Sequence, residues 1–215
     1  MHVLITGAGR GMGRAMAQEA LRRGWQVTGS IRKRGDAPDG VQEVLADMHD
    51  LDALQAQFAR CGHVDVLINN AGVIGPDRQG TLDMDFKGFA ETLAINTLAP
   101  LAVAQAVLPQ MTAGGRILTI SSQMAWMGYA KSDRIAYRAS KVAVNKIMQG
   151  LATDLYARGI ALAVVDPGWV RTDMGGPDAE EDPRHVAGGI LDIATKLDMT
   201  QTGQFLRWTG ETRDF

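Results

Sequence analysis

Short apolar runs recur along the chain, each closed by glycine, proline or a small polar residue and followed by a stretch with helical spacing. Val3-Leu4-Ile5 is the first, brief and β-branched, as a strand buried on both faces requires. From Arg14 to Arg23, Ala15, Met16, Ala20 and Leu21 mark the apolar stripe of a helix. Trp25 to Ile31 predicts a second strand, Val41 to Ala46 a third and Val64 to Ile68 a fourth, with a helix over Leu51 to Arg60. Residues 73 to 82 read as a loop. The pattern from Asp83 to Met111 is one long or kinked helix, which Gly114-Gly115 ends before the strand Arg116 to Ile120. A helix from Tyr137 to about Ala157, a strand over Ile160 to Val165, a helix over Arg184 to Leu197 and a strand over Gln204 to Trp208 complete the series. Such alternation predicts an α/β fold with a doubly wound parallel sheet. Ligands then belong at the carboxyl ends of the strands.

Composition changes this picture little. A chain of 215 residues suits one domain over residues 1–215. A net charge of −2 gives no general pull towards nucleic acid or an anionic membrane. Glycine stands out: 25 residues, above the usual share of about 7%, clustered at Gly7 to Gly13, Gly114-Gly115 and Gly175-Gly176 as tight turns at a site would need. Cys61 is the one cysteine. It excludes an internal disulfide, suits a reducing compartment and reads as an inert, partly buried thiol. The N-terminus enters a strand at once without a basic segment, so no signal peptide and a cytoplasmic location are expected. Leu93 to Met111 is apolar but interrupted by Asn96, Pro100, Gln105 and Pro109, which predicts a buried helix rather than a membrane span. The four histidines have no ligand spacing, so no metal is expected, and the eleven methionines read as core filler.

The chemistry begins at Thr6-Gly7-Ala8-Gly9-Arg10-Gly11-Met12-Gly13, between the first strand and the first helix. Glycines there let the backbone turn sharply and approach a pyrophosphate, and the helix start adds free N–H groups and a positive dipole end. Met12 occupies the place of the third glycine of G-x-G-x-x-G, so the order is T-G-x-x-x-G-x-G. An acid that grips a ribose 2′-hydroxyl should follow the second strand. The chain has Ser30-Ile31-Arg32-Lys33-Arg34 instead, which would attract a 2′-phosphate and favours NADP(H) over NAD(H). Arg32 is the best candidate, with Arg10 assisting. Asp47-Met48 closes the third strand, where Asp47 can bind an adenine amino group or cap the next helix. Asn69-Asn70-Ala71-Gly72 can hold a crossover loop beside a flat ring, or form an ordinary turn. Asn96 lies in apolar surroundings and needs partners, as a structural bridge or as part of a polar site. Pro100 removes a backbone hydrogen bond near it. Ser121-Ser122 ends the strand from Arg116. Tyr137 and Lys141 share one helix face, and a neighbouring ammonium lowers the pKa of a phenol. Pro167-Gly168 makes a corner that can pass close to a cofactor. Gly175 to Pro183 reads as a mobile flap or a poorly ordered surface loop.

Taken together and in order, Thr6-Gly7-x-x-x-Gly11-x-Gly13, Asn69-Asn70-Ala71-Gly72, Asn96, Ile120-Ser121-Ser122, Tyr137-x-x-x-Lys141 and Pro167-Gly168 with Thr172 resemble the short-chain dehydrogenase/reductase family. The segments Trp169 to Gly176 and Gly203 to Gly210 look like its smaller carbonyl-reductase-like members. The resemblance implies a Rossmann fold with a seven-stranded, mostly parallel sheet in the order 3-2-1-4-5-6-7. It implies that Ser122 orients a substrate carbonyl, that Tyr137 gives or takes the proton, and that Lys141 lowers the tyrosine pKa and binds the nicotinamide ribose. Asn96 would hold a water that links Lys141 to solvent. Thr172 would fix the nicotinamide carboxamide. Cofactor contacts are implied for Thr6, Gly7, Gly9, Arg10, Gly11, Met12, Gly13, Arg32, Asp47, Met48, Asn70, Ala71, Gly72, Pro167, Gly168 and Val170 as well.

Against that resemblance, the loop from Ser122 to Tyr137 is longer than is common in the family, and the chain is shorter around the substrate flap. The expected activity is NADPH-dependent hydride transfer between nicotinamide and a small-molecule carbonyl or secondary alcohol. The alternative is a dinucleotide-binding sensor or regulatory protein that keeps the fold without useful catalysis. Surplus apolar residues over Leu98 to Leu108 and Val142 to Leu151 suggest a homodimer or homotetramer.

Overall fold

The computed structural model describes residues 1–215. Its main sheet is built from β1 (His2–Ile5), β2 (Gln26–Ile31), β3 (Gln42–Leu45), β4 (Val66–Asn69), β7 (Arg116–Ile120), β8 (Ala161–Asp166), β9 (Phe205–Arg207) and β10 (Thr212–Arg213). The strands lie in the order β10-β9-β8-β7-β4-β1-β2-β3. All neighbours run parallel except β10, which is antiparallel to β9. The seven expected strands therefore take the expected order, and an eighth, only two residues long, is added at one edge. A separate antiparallel hairpin, β5 (Gln79–Gly80) with β6 (Asp83–Met84), occupies part of the segment expected as loop.

Parallel strands with helices on both faces bury successive side chains on opposite sides. Val3 and Ile5 join the apolar layer beneath α1 (Gly11–Arg22) and α6 (Pro183–Lys196), together with Met16, Ile68, Leu118 and Ile190. Leu4, between them in sequence, joins the opposite layer beneath α2 (Leu51–Phe58), α4 (Ala99–Val107) and α5 (Ile135–Leu155), with Phe58, Leu67, Val103, Met148 and Phe205. Each layer holds 23 buried residues, so the sheet is a dry wall between two cores of equal size. β3 is the exception, half-exposed along its length because nothing pairs beyond it.

The long helix expected over Asp83 to Met111 is a composite. After β6 come α3 (Phe86–Leu93), a single π turn (Ala94–Leu98), α4 and a 3₁₀ turn (Leu108–Gln110). At the π turn the N–H of Ala99 donates to the carbonyl of Ala94, one residue further back than in an α-helix. Pro100, at the second position of α4, has no N–H to give to the carbonyl of Asn96 four residues earlier. Such widened turns occur often at functional sites. Here the turn aims Asn96 and Thr97 inward, where Thr97 Oγ1 donates to the Ser140 carbonyl at 2.9 Å. The run Phe86–Gln110 is long and apolar enough by composition to cross a membrane, yet 61% of its most apolar window is packed inside the protein. It behaves as the buried helix expected of it. Cys61 is buried, and burial raises its thiol pKa.

Candidate active site

Every motif singled out from the sequence falls at the carboxyl edge of the parallel sheet. Thr6, just past β1, is buried, and its Oγ1 accepts the N–H groups of Asn70 and Ala71 at 2.9 and 3.0 Å. Asn70 Nδ2 returns a bond to the Thr6 carbonyl at 2.9 Å. The ends of β1 and β4 are thus stitched together, which is the structural half of what the Asn69 to Gly72 tetrapeptide does. Ser30 holds the glycine turn from the β2 side, accepting the Gly7 N–H on its hydroxyl and the Ala8 N–H on its carbonyl, both at 2.9 Å. Gly7 and Gly11 have φ of 72° and 52°, a region that glycine enters without penalty. A Cβ on Gly13 would collide with the Gly7 carbonyl and stand 2.6 Å from Asn70 Nδ2.

These constraints leave the start of α1 open. Arg10, its N-cap, makes no side-chain cap, and no acid stands in the first turn. Free N–H groups and a positive helix end face outward there, and this fits a pyrophosphate. Met12 instead packs its half-buried side chain on the core. The loop after β8 lies against the turn: Thr172 Cγ2 is 3.6 Å from the point where a Gly11 Cβ would stand, and Arg10 meets Asp173 at 3.7 Å. That loop is not free. Val170 bridges to Glu181, and Arg171 Nη1 donates to the carbonyls of Ala179 and Glu180 at 2.9 and 2.8 Å. Gly175 to Pro183 is thus tethered, which neither the mobile flap nor the poorly ordered surface loop expected of it describes.

Arg32 follows β2 directly, is exposed and has no acidic partner. Asp47 follows β3, and its carboxylate accepts the His49 N–H at 3.0 Å. The cap of α2 is Asp50, which accepts the Ala53 N–H at 3.1 Å, so the capping role left open for Asp47 belongs elsewhere. Met48 packs half-buried on the second core.

The reactive groups converge at α5. This helix begins two residues before Tyr137, so Tyr137 and Lys141 occupy its first turns, and both are buried. Lys141 Nζ donates to the Ile120 carbonyl at 2.9 Å and lies 5.7 Å from the centroid of the Tyr137 ring. Ser122 is buried just past β7 and caps a 3₁₀ turn (Gln123–Ala125), its Oγ accepting the Met124 N–H at 3.1 Å. Asn96 grips Val73 twice, accepting its N–H on Oδ1 and donating Nδ2 to its carbonyl, both at 2.8 Å, and donates again to Ser140 Oγ at 3.0 Å. Its side chain is therefore a structural bridge. A Cβ on Gly72 would stand 3.2 Å from Asn96 Oδ1 and 3.7 Å from Lys141 Nζ, which shows how closely the three residues assemble.

Burial sets the ionisation here. The Tyr137 phenol is pushed up to about 12, first by desolvation; the Ser122 side chain and, more weakly, Arg134 oppose this, and the charge of Asp166 adds to it. The Lys141 ammonium is brought down to about 8 by desolvation. The expected lowering of the phenol pKa by Lys141 is thus absent in this arrangement: its Nζ is turned to the Ile120 carbonyl, and loss of water outweighs nearby positive charge.

Four residues of the site, Arg134, Gln79, Asp166 and Arg213, escaped the sequence reading. The N-cap of α5, Arg134, is the one non-glycine residue with positive φ (51°) and makes no side-chain cap. The N–H of Tyr137 is instead taken by Gln79 Oε1 at 3.1 Å, while Gln79 Nε2 holds the carbonyls of Ile74 and Pro76 at 3.1 and 2.8 Å. Asp166, at the end of β8, is buried and pairs with Arg213 on β10 at 2.9 Å. An acid closing an otherwise apolar strand was a visible signal; a lone glutamine in a loop and an arginine near the end were not.

Comparison with known proteins agrees with this layout. The family pattern described as short chain dehydrogenase matches residues 1–183. The C-signal of Myxococcus xanthus is 39% identical over 153 residues, spanning 69% of this chain and 91% of the relative. Among solved structures, the carbonyl reductase Sniffer of D. melanogaster superposes with a TM-score of 0.91 at 28% identity, over 100% of this chain and 99% of that one. A short-chain dehydrogenase/reductase from Burkholderia multivorans with bound NADP gives 0.89 at 30% identity, with the same coverage.

The buried lysine has a measurable thermodynamic signature. Its folded-state pKa lies below its unfolded value, so charging it opposes folding at neutral pH, and that cost fades as pH rises from about 8 to about 10.5. Lys141→Met should be more stable than the wild type by up to about 3 kcal/mol at pH 7 and by less than about 1 kcal/mol at pH 10. Denaturant unfolding at the two pH values measures this. A Lys141→Met protein no more stable at pH 7 would show that the ammonium is adequately solvated.

Proposed function

The chain belongs to the short-chain dehydrogenase family, and from that premise we propose that it is an NADP(H)-dependent oxidoreductase acting on a small carbonyl compound or the matching secondary alcohol. The observation that carries the reading is the burial of Tyr137, Ser122 and Lys141 together at the sheet edge that also presents the open glycine turn. NADP(H), when bound, supplies or accepts the hydride. The chain's own residues bind, orient and manage the proton. Ser122 Oγ donates to the substrate oxygen and holds the carbonyl in plane. Tyr137, protonated at neutral pH as any ordinary phenol is, passes its proton to the same oxygen as negative charge develops. Lys141, bonded to the Ile120 carbonyl and 5.7 Å from the centre of the phenol ring, would bind the nicotinamide ribose. Asn96 braces this arrangement by fixing Val73 and Ser140, next to Gly72 and Lys141. Thr172 would hold the nicotinamide carboxamide, a role that its position against the glycine turn at Gly11 supports. A regulatory protein without turnover would have no use for this complete and costly set.

NADP(H) over NAD(H) rests on Arg32, whose unpaired guanidinium stands at the end of β2 with Lys33 and Arg34 beside it. Homodimers or homotetramers are proposed through α5, α4 and the π turn before it, where Leu98 is 45% exposed and Leu101, Ile147 and Leu151 are only partly covered. The buried thiol of Cys61 suits a reducing, cytoplasmic setting.

Tyr137→Phe should lower kcat on any carbonyl the wild type reduces by roughly 10²–10⁴-fold while leaving the NADPH dissociation constant unchanged; undiminished turnover would sink the mechanism. Arg32→Ala should weaken NADPH binding by roughly 10–100-fold and spare NADH, as followed by nicotinamide fluorescence. An equal effect on both cofactors, or none, removes Arg32 from the site. Light scattering should give a mass at least twice that of one chain, and Leu98→Glu should reduce it; a monomeric wild type at working concentration refutes the assembly.

A further inference from the structure

Gln123 follows Ser122, and Gly168 opens the loop that leads to Thr172. The N–H groups of both donate to one atom, Oδ1 of Asp166, at 2.9 and 3.0 Å. The other carboxylate oxygen, Oδ2, accepts Nη1 of Arg213 at 2.9 Å. A single buried side chain therefore ties down the starts of two site loops, one after β7 and one after β8. Its charge is balanced from the far end of the chain, 47 residues on.

Arg213 is held for this task from two sides. It lies on β10, in register with Phe205 of β9, and its guanidinium stands over the Phe205 ring at 5.9 Å. The turn between β9 and β10 is closed by the Arg207 N–H to the Glu211 carbonyl and the Gly210 N–H to the Arg207 carbonyl, both at 2.8 Å. The two strands together make the shortest pairing in the main sheet, and Arg213 is its last residue.

Stability alone does not account for the pair. Burying both charges is expensive, and an apolar pair of similar volume would often serve the fold as well. The cost here is not fully recovered, because Nε of Arg213 is buried with no partner. What the ion pair does, and an apolar pair would not, is keep an acceptor aimed at two backbone donors that no other group satisfies.

We propose that Arg213 is a positioning residue for the active site: it fixes the Asp166 carboxylate, which in turn sets the backbone of the Ser122 loop and of the Pro167 to Thr172 loop. The consequence for catalysis rests on the oxidoreductase reading; the mechanical part does not. Removing the guanidinium leaves Asp166 to seek water or rotate, and releases both loops together. This explains why a strand two residues long, outside the segment that the family pattern matches, is retained against the edge of β9.

The test is backbone amide exchange at Gln123 and Gly168 in the full-length protein, alongside steady-state kinetics. Arg213→Met should speed exchange at both amides by about tenfold or more, lower kcat by a similar factor and raise the NADPH dissociation constant as well, because the Pro167 to Thr172 loop carries the proposed cofactor contacts. The double variant Asp166→Asn with Arg213→Met carries no buried charge and keeps an oxygen for the two N–H groups. It should recover most of the protection and of kcat. Unchanged exchange at both amides in Arg213→Met, or a double variant as impaired as the single, overturns the proposal. If Arg213→Met does not fold, Arg213→Lys is judged by the same two amides, faster exchange supporting the clamp and wild-type rates refuting it. A wild type that binds NADPH and reduces no carbonyl defeats the oxidoreductase reading, and the exchange rates still decide the clamp.

Discussion

Lys141 is an ammonium shut away from water with one carbonyl, that of Ile120, to bond. Beside it stands a phenol equally cut off. Most of the polar structure around them follows from keeping these two groups where solvent would otherwise be needed. Ile120 ends β7, so the lysine is bonded to the sheet itself. Asn96 reaches inward from a widened helix turn and fixes the loop after β4 at Val73 and the neighbouring helix at Ser140. Gln79 crosses from a hairpin to satisfy the N–H of Tyr137, which its own helix cap leaves open. Each device is a buried polar group with its partners found, as a low-dielectric interior demands.

The same logic runs along the rest of the sheet edge. A parallel strand leaves backbone and side-chain groups at its carboxyl end facing outward, and this chain pairs most of them with the next strand over. Thr6 spends its hydroxyl on Asn70 and Ala71, Ser30 its hydroxyl and carbonyl on Gly7 and Ala8, and Asp166 its carboxylate on Gln123 and Gly168. At the start of α1, by contrast, Arg10 offers no side-chain cap and the first-turn N–H groups stay free. The anion site is in this sense the remainder once neighbouring donors have been used. The glycines matter because any side chain at position 13 would occupy the space between the turn and Asn70.

Much of this was legible in the sequence, and the reasons differ by element. Buried parallel strands are apolar throughout, so Val3 to Ile5, Arg116 to Ile120 and Ile160 to Val165 announce themselves; alternation with helices makes the sheet parallel, and the family resemblance supplies the strand order up to β9. β10 could not be read, because two residues carry no period. The break at Ala94 to Leu98 was visible only as Pro100; that the chain would widen there depends on Asn96 and Thr97 finding partners on α5. Asp47 was a plausible cap, yet Asp50, three residues closer to the helix, took that place. Tyr137 and Lys141 were found from spacing, but spacing gives proximity and not dielectric. Charge proximity predicts a lowered phenol pKa, and burial, which no local pattern records, reverses the sign.

The residues that escaped notice share one property. Gln79 acts on Tyr137 across 58 positions and Arg213 on Asp166 across 47, and neither belongs to a run whose chemistry stands out. They hold the groups that do. A reactive side chain must be one of a few types at one place, so it leaves a motif. A group that merely supplies an acceptor or a counter-charge can come from any element that the fold brings within reach. In a sheet whose neighbouring strands are distant in sequence, that element is seldom nearby in the chain. Motif reading in this architecture will therefore find the chemistry before it finds what positions it, and the second set has to be sought among buried polar bonds that link the carboxyl ends of different strands.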